Sequence, residues 1–174
     1  MEISLTATSG NIEVIPASIE QKPILANLLE LYTYDFTELK AFKLGEDGRF
    51  GYPDLPLYWT EPDRLPFLVK VDDRWGGFVL VRRGSQVSVD EDVWDMVEFF
   101  VLRGYRRLGV GTKVAHEIWR RFPGKWEVRV IERNQRALSF WRGAIAGFLR
   151  EPLQPSRLEK GANIWQVFSF ESAE

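Results

Sequence analysis

The chain has no cysteine and one histidine, His116. Without thiols there is no disulfide framework, no thiolate zinc site and no cysteine nucleophile. A single imidazole also excludes a multi-histidine metal centre, so no metal is expected. Neither sign of charge dominates. Lys and Arg number 23 against 25 Asp and Glu, for a formal net charge of −2. Duplex-binding domains normally carry a clear basic excess, so nucleic acid is not an expected partner. No stretch approaches ~18 consecutive apolar residues, and no transmembrane helix is expected. Residues 1–10 lack the basic start and apolar run of a secretory signal and read as a loose tail. The expected setting is the cytoplasm, away from membranes.

What is present points to an ordered domain. A length of 174 residues suits one hydrophobic core, and a single domain over 1–174 is expected. An aromatic share of 14% argues against disorder. Ile12 to Ile15 alternates as a short strand, which Pro16 stops. Ser18 with Gln21 reads as a capping box ahead of a helix carrying Ile24, Leu25, Leu28, Leu29, Leu31 and Tyr32. Residues 40–64 are broken by Gly45, Gly48, Gly51, Pro53, Pro56 and Pro62 into a long loop, yet hold Phe50, Tyr52, Tyr58 and Trp59.

A hairpin follows, Pro66 to Val71 and Gly77 to Arg82, turning at Asp72-Asp73. Trp94 to Leu102 is apolar almost throughout, as a strand covered on both faces would be. Val110 to Phe122 carries a helical stripe, with His116 on its polar side as a solvated residue. Trp126 to Ile131 is a strand and Asn134 to Ile145 a helix, with Gly147 at the C-cap position. Phe148 to Leu153 and Ile164 to Phe170 read as closing strands. The strand–helix–strand run from Trp94 to Ile131 calls for a parallel pair with a right-handed crossover. The fold class is a mixed α/β sheet, otherwise mostly antiparallel.

The chemistry-bearing segment is Arg106-Arg107-Leu108-Gly109-Val110-Gly111-Thr112. A buried strand enters a tight turn that opens a helix. The first N–H groups of a helix lack internal partners and face outward with the positive end of the dipole. Gly109 and Gly111 carry no Cβ to hold an anion away, the arginines add charge, and Thr112 adds a hydroxyl. This is a phosphate cradle. Val110 stands where a Walker A turn needs Lys, and Val114 where a dinucleotide fingerprint needs Gly; both patterns fail.

Arg106-x-x-Gly109-x-Gly111 after a strand ending in Val resembles motif A of the GNAT-type N-acetyltransferases. Asn134-x-x-Ala137-x-x-Phe140-Trp141, with Gly147-Phe148 downstream, resembles their motif B. The run Gly48-Arg-Phe-Gly-Tyr-Pro53 is similar to one in a group of short bacterial predicted acetyltransferases. The resemblance implies the GNAT fold and acetyl-coenzyme A as co-substrate. It implies a pantetheine arm along Phe99 and Val101, and a pyrophosphate on the amides from Arg106 or Arg107 through Thr112. Asn134 would lie near the arm and Trp141 near the sulfur. The family's usual acid is a Tyr at the Trp141 position, and an indole N–H cannot replace it. The reaction implied is direct attack of a primary amine on the thioester; the alternative is an acyl-CoA-binding protein without turnover.

Glu98 and Glu127 are the candidate bases. Glu98 is a carboxylate on an apolar strand, where burial raises its pKa; Glu127, on the neighbouring strand, has an ion pair with Arg129 or another cation as its plainer role. The acceptor side falls on Tyr32, Asp35 and the 40–64 loop with Tyr58 and Trp59, either as a wall over the acceptor or as anchors to the core. Acids outnumber bases over 35–63, which would suit a cationic amine. The acceptor is a small-molecule or peptide amine, and monomer and homodimer both stay open.

Overall fold

The computed structural model describes residues 10–173. The expected tail falls almost wholly outside them. In chain order the elements are β1 (Ile12–Pro16), α1 (Lys22–Phe36), β2 (Arg64–Val71), β3 (Arg74–Arg83), β4 (Trp94–Val101), α2 (Val110–Arg121), β5 (Gly124–Ile131), α3 (Gln135–Leu149), β6 (Ser156–Lys160) and β7 (Asn163–Ser172). The order of helices and strands is the one the periodicities predict. One seven-stranded sheet runs β1-β2-β3-β4-β5-β7-β6. All neighbours are antiparallel except β4 and β5, which are parallel. With α2 as its crossover, that pair divides the sheet into two antiparallel halves.

Each face has its own core. On one, α2 and α3 bury Val114, Ile118, Trp119, Leu138, Trp141 and Ile145 against Val79, Val81, Met96, Trp126 and Val128. On the other, α1 brings Leu25, Leu28 and Leu29 onto Leu68, Phe78, Leu80 and Phe100. The α1 stripe has the spacing of a helix laid on a sheet. Each fully buried Leu or Phe contributes roughly 1.5–3 kcal/mol of transfer free energy. At the β2–β3 hairpin, Asp72 and Asp73 both take positive φ (49° and 61°), the two-residue turn whose twist matches the strands.

The long loop packs on this second core. The Glu30 carboxylate accepts the N–H groups of Phe50 (2.7 Å) and Gly51 (2.8 Å). Trp59 donates its indole N–H to the Ala17 carbonyl at 2.9 Å. Leu55 and Tyr58 are buried. Of the two roles expected for Tyr58 and Trp59, the anchoring one describes their contacts.

Three expectations are corrected. α3 runs through Gly147 to Leu149, and Arg150 supplies the left-handed cap at φ 62°. The stripe of Leu138, Trp141, Ile145, Phe148 and Leu149 continues at helical spacing, and its packing outweighs the ~1 kcal/mol that an interior glycine costs. The first closing strand is therefore Ser156–Lys160, not Phe148 to Leu153. His116 is half-buried and bonded rather than a free surface residue: Nε2 bonds the Ala144 carbonyl at 2.8 Å, and its ring lies 5.3 Å from Phe148. It docks α2 on α3.

Two glycines are expected to respond oppositely to alanine. A Cβ at Gly77 would overlap the Phe100 carbonyl, whereas one at Gly143, on the exposed side of α3, meets nothing within 4 Å. In urea unfolding, Gly77→Ala should lose at least ~2 kcal/mol. Gly143→Ala should gain about 0.5–1 kcal/mol.

Candidate functional site

The parallel pair is brief. β4 and β5 share register only at Trp94↔Trp126 and Asp95↔Glu127. β4 then stays with β3 as far as Val101, and β5 stays with β7 as far as Ile131. The two strands part, leaving a wedge between residues 96–101 and 128–131. The cause is in β4: Leu80 pairs with Glu98 but Val81 with Met96, so Val97 is an extra residue. Such a bulge bends and overtwists its strand. It also shifts the alternation. Asp95 and Glu98, three apart, face α1 together, while Met96 joins the α2–α3 core.

At the wide end of the wedge lies the glycine turn. Gly109 caps α2 with φ 78°, and Arg107 just before it also takes a left-handed φ of 61°. The first helical bond of this turn goes from Lys113 to the Gly109 carbonyl (3.1 Å), which leaves the preceding amides facing outward. A Cβ at Gly109 meets nothing; one at Gly111 meets the Phe140 ring at 3.0 Å. Gly109 is thus needed for the backbone conformation, and Gly111 for the approach of α3. Leu108 is exposed, Val110 is buried, and Thr112 lies half-buried in the first turn of α2.

The arginines divide. Arg103 and Arg106 both reach Asp35 at 2.6 Å, and Arg106 also gives Nε to the Val101 carbonyl at 2.7 Å. Partial burial pushes the Asp35 carboxyl up, but the bonds from Arg106 and Arg103 outweigh it and hold it below its ordinary value. Asp35 ties the end of α1 to the turn, with both of its oxygens engaged by arginines. Arg107 pairs with no carboxylate among the described residues.

On the α1 face, Glu98 accepts the hydroxyls of Tyr32 and, at 3.0 Å, Tyr52. Burial pushes the Glu98 carboxyl above its ordinary value; the two hydroxyls and Arg129 oppose this without cancelling it. All three nearby tyrosines are raised, chiefly by burial and then by the Glu98 charge. The Tyr58 hydroxyl is buried and unpartnered among the described residues. Asp95, fully buried, holds Arg129 through Nε (3.2 Å) and Nη2 (2.8 Å). Burial pushes Asp95 up, with Arg129 opposing. Glu127 accepts from Ser85 at 2.7 Å, at the closed end of the wedge. The ion pair expected between Glu127 and Arg129 is replaced by the one to Asp95.

A sequence profile of the Acetyltransferase (GNAT) family matches residues 25–148. The chain belongs to the GNAT family. The family uses acetyl-CoA as its co-substrate, and the outward amides and the open wedge fit such a ligand. Among curated proteins no sequence match is found. Solved structures share the fold. An acetyltransferase from Thermus thermophilus superposes with a TM-score of 0.68 at 15% identity, over 92% of this chain and 97% of that one. A GNAT acetyltransferase from Streptococcus pneumoniae gives 0.61 at 14%, over 94% and 100%. Spermidine N-acetyltransferase from Vibrio cholerae, in complex with CoA and spermine, gives 0.61 at 10%, over 92% and 95%.

Of the residues expected on the coenzyme side, Phe99 and Val101 lie on the parted stretch of β4 and Arg106 to Thr112 in the turn and helix start beyond it, while Asn134 and Trp141 make contacts within the protein. Asn134 is the N-cap of α3, its Oδ1 accepting from Ala137 at 3.1 Å. Trp141 is only 6% exposed and wedged among Phe99, Phe140 and Trp119, so it props α3 against β4. Phe99 stacks on Phe140 at 5.6 Å. Asp95, Arg129 and Ser85 were missed as site residues. A legible signal existed for the first two: an acid and a base, each within a strand otherwise buried, need each other.

Tyr52→Phe should raise the Glu98 pKa further, because it deletes a donor to the charged form. Carbon-13 NMR titration of the Glu98 carboxyl measures this; a fall or no change would contradict the bond.

Proposed function

We propose that this GNAT protein acetylates a primary amine by direct attack, with Glu98 as the general base. The observation that carries the reading is a raised-pKa carboxylate on the bulged strand that opens the wedge. Acetyl-CoA supplies an activated acetyl thioester when bound. The amides of Val110, Gly111 and Thr112, with Arg107 alongside, hold its pyrophosphate, and the parted edge of β4 at Phe99 and Val101 pairs with its arm. Preorganised N–H donors stabilise an anion without reorganisation.

The acceptor nitrogen must be neutral to attack. As it bonds to the acetyl carbon and the C–S bond breaks, its proton passes to Glu98. A carboxyl raised by burial is a better base near neutral pH than an ordinary one. Tyr32 and Tyr52 orient that carboxylate. They are poor acids for the departing thiolate, since burial and Glu98 hold their protons on. Trp141 cannot serve either, so solvent protonates the sulfur. Glu127, engaged by Ser85 where the strands are still paired, is the less favoured candidate.

The absence of a motif B acid favours one second reading, an acyl-CoA-binding protein without turnover. Acetyl transfer across an amine panel separates the two.

Two variants test the proposal. In calorimetry, Gly109→Glu should weaken acetyl-CoA binding at least about tenfold, by placing bulk and negative charge at the pyrophosphate; Gly109→Ala controls for the strain of positive φ. Equal affinity of Gly109→Glu and wild type would sink the coenzyme assignment. Glu98→Gln should lower kcat by roughly 10²–10⁴. It should also remove the rise in rate with pH that follows deprotonation of a carboxyl above its ordinary range; an unchanged pH–rate profile would remove Glu98 as the base.

A further inference from the structure

The reaction proposed above leaves the rest of the acceptor unassigned. A second opening lies on the same face of the sheet as Glu98. It is a cavity of about 230 Å³ lined by Gln86, Val87, Arg129, Lys160, Asn163 and Trp165. Arg129 comes from β5 between Val128 and Val130, which point into the opposite core, so its guanidinium stands on the α1 face. It is close enough to act on the Glu98 carboxyl and the Tyr32 hydroxyl.

The lining is cationic and has no carboxylate. Arg129 gives Nε and Nη2 to Asp95, and among the described residues its Nη1 donates to nothing. The guanidinium lies 5.8 Å from the Trp165 ring centre, which adds an apolar wall. Lys160 is pinned by one bond from Nζ to the Gln86 carbonyl at 2.8 Å and keeps further N–H donors. Of the neighbouring acids, Glu127 accepts from Ser85 and pairs with no cation among the described residues. Glu132 and Glu159 both pair with Arg157, at 3.1 and 2.6 Å. Asp95 neutralises Arg129 from behind, so the charge of Lys160 is uncompensated among the described residues.

The acidic excess over 35–63, which would suit a cationic acceptor, is partly spent. Asp35 is held by Arg103 and Arg106, and Glu61 by Arg64. Opposite charge and two separate N–H donors, Arg129 Nη1 and Lys160 Nζ, favour a carboxylate.

We infer that this cavity is the acceptor's anion subsite, and that the acceptor is a small aminocarboxylate. Its carboxylate sits between Arg129 and Lys160, its apolar part lies along Trp165, and its amine reaches toward Glu98. The inference rests on the transferase reading above.

The test is a panel of α- and ω-amino acids, each paired with its carboxamide, assayed with acetyl-CoA by release of free thiol. Carboxylates should exceed their carboxamides in kcat/KM by about tenfold or more, the worth of one charged hydrogen-bonded contact. Lys160→Ala should narrow that margin and Lys160→Arg restore it. Carboxamides used as well as the carboxylates, or better, would overturn the subsite. Acetyl-CoA bound but no member turned over would count against the transferase reading instead. The subsite is then decided by calorimetry with N-acetyl amino acids: binding that Lys160→Ala weakens supports it, and no binding to wild type overturns it.

Discussion

One extra residue in β4 underlies most of what this protein presents to a ligand. With its other edge paired to β3 from Trp94 to Val101, β4 cannot take up a bulge at Val97 and still follow β5. The parallel pair ends after two positions, and the backbone edge beyond it is freed inside the sheet rather than at its rim. Free strand edges are ordinarily covered or blunted. Here one face of the wedge is covered by the α2–α3 core, which spans both halves of the sheet, and the α1 core covers the β2–β4 half on the other face.

The same bulge sets the electrostatics. Without it, Asp95 and Glu98 would point to opposite faces, because strand side chains alternate. With it, both carboxyls stand on the α1 face beside Arg129. Burying a carboxylate is costly unless donors compensate. Asp95 is compensated by a guanidinium, and Glu98 by phenolic hydroxyls from α1 and from the 40–64 loop. That loop is thereby fastened at Glu98, at Glu30 and at Ala17, so the order of the loop and the state of the carboxyl are coupled. A second tie, Asp35 to Arg103 and Arg106, joins α1 to the glycine turn. Helix α1 and the glycine turn are thus one mechanical unit.

Much of this was legible in the residues. Periodicity gave the order of helices and strands and placed all but β6, and Asp72-Asp73 marked the hairpin. Gly109 and Gly111, read with Asn134 to Phe148, pointed to the family. Even the suspicion about Glu98 needed only its apolar neighbours. These are local properties: propensity, spacing and backbone freedom act within a few residues, so they can be read in a window. The end of α3 was misplaced because Gly147 carries a local stop signal that packing against α2 overrides.

What the chain alone could not decide were the pairings between distant segments. Asp35 lies roughly 70 positions from the arginines that claim it, Tyr52 lies 46 from Glu98, and Arg129 lies 34 from Asp95. Each of these groups has several partners of suitable charge in the sequence, and which one it meets depends on register, on the bulge and on which face a strand presents. Sequence by itself determined the order of elements and the glycine turn, since those follow from local geometry, and the family through the resemblance of its two motifs. Tertiary structure alone decided which carboxyl is buried among donors, which arginine is left with a free N–H and where the sheet opens, because those depend on a two-residue parallel pairing that no local pattern encodes.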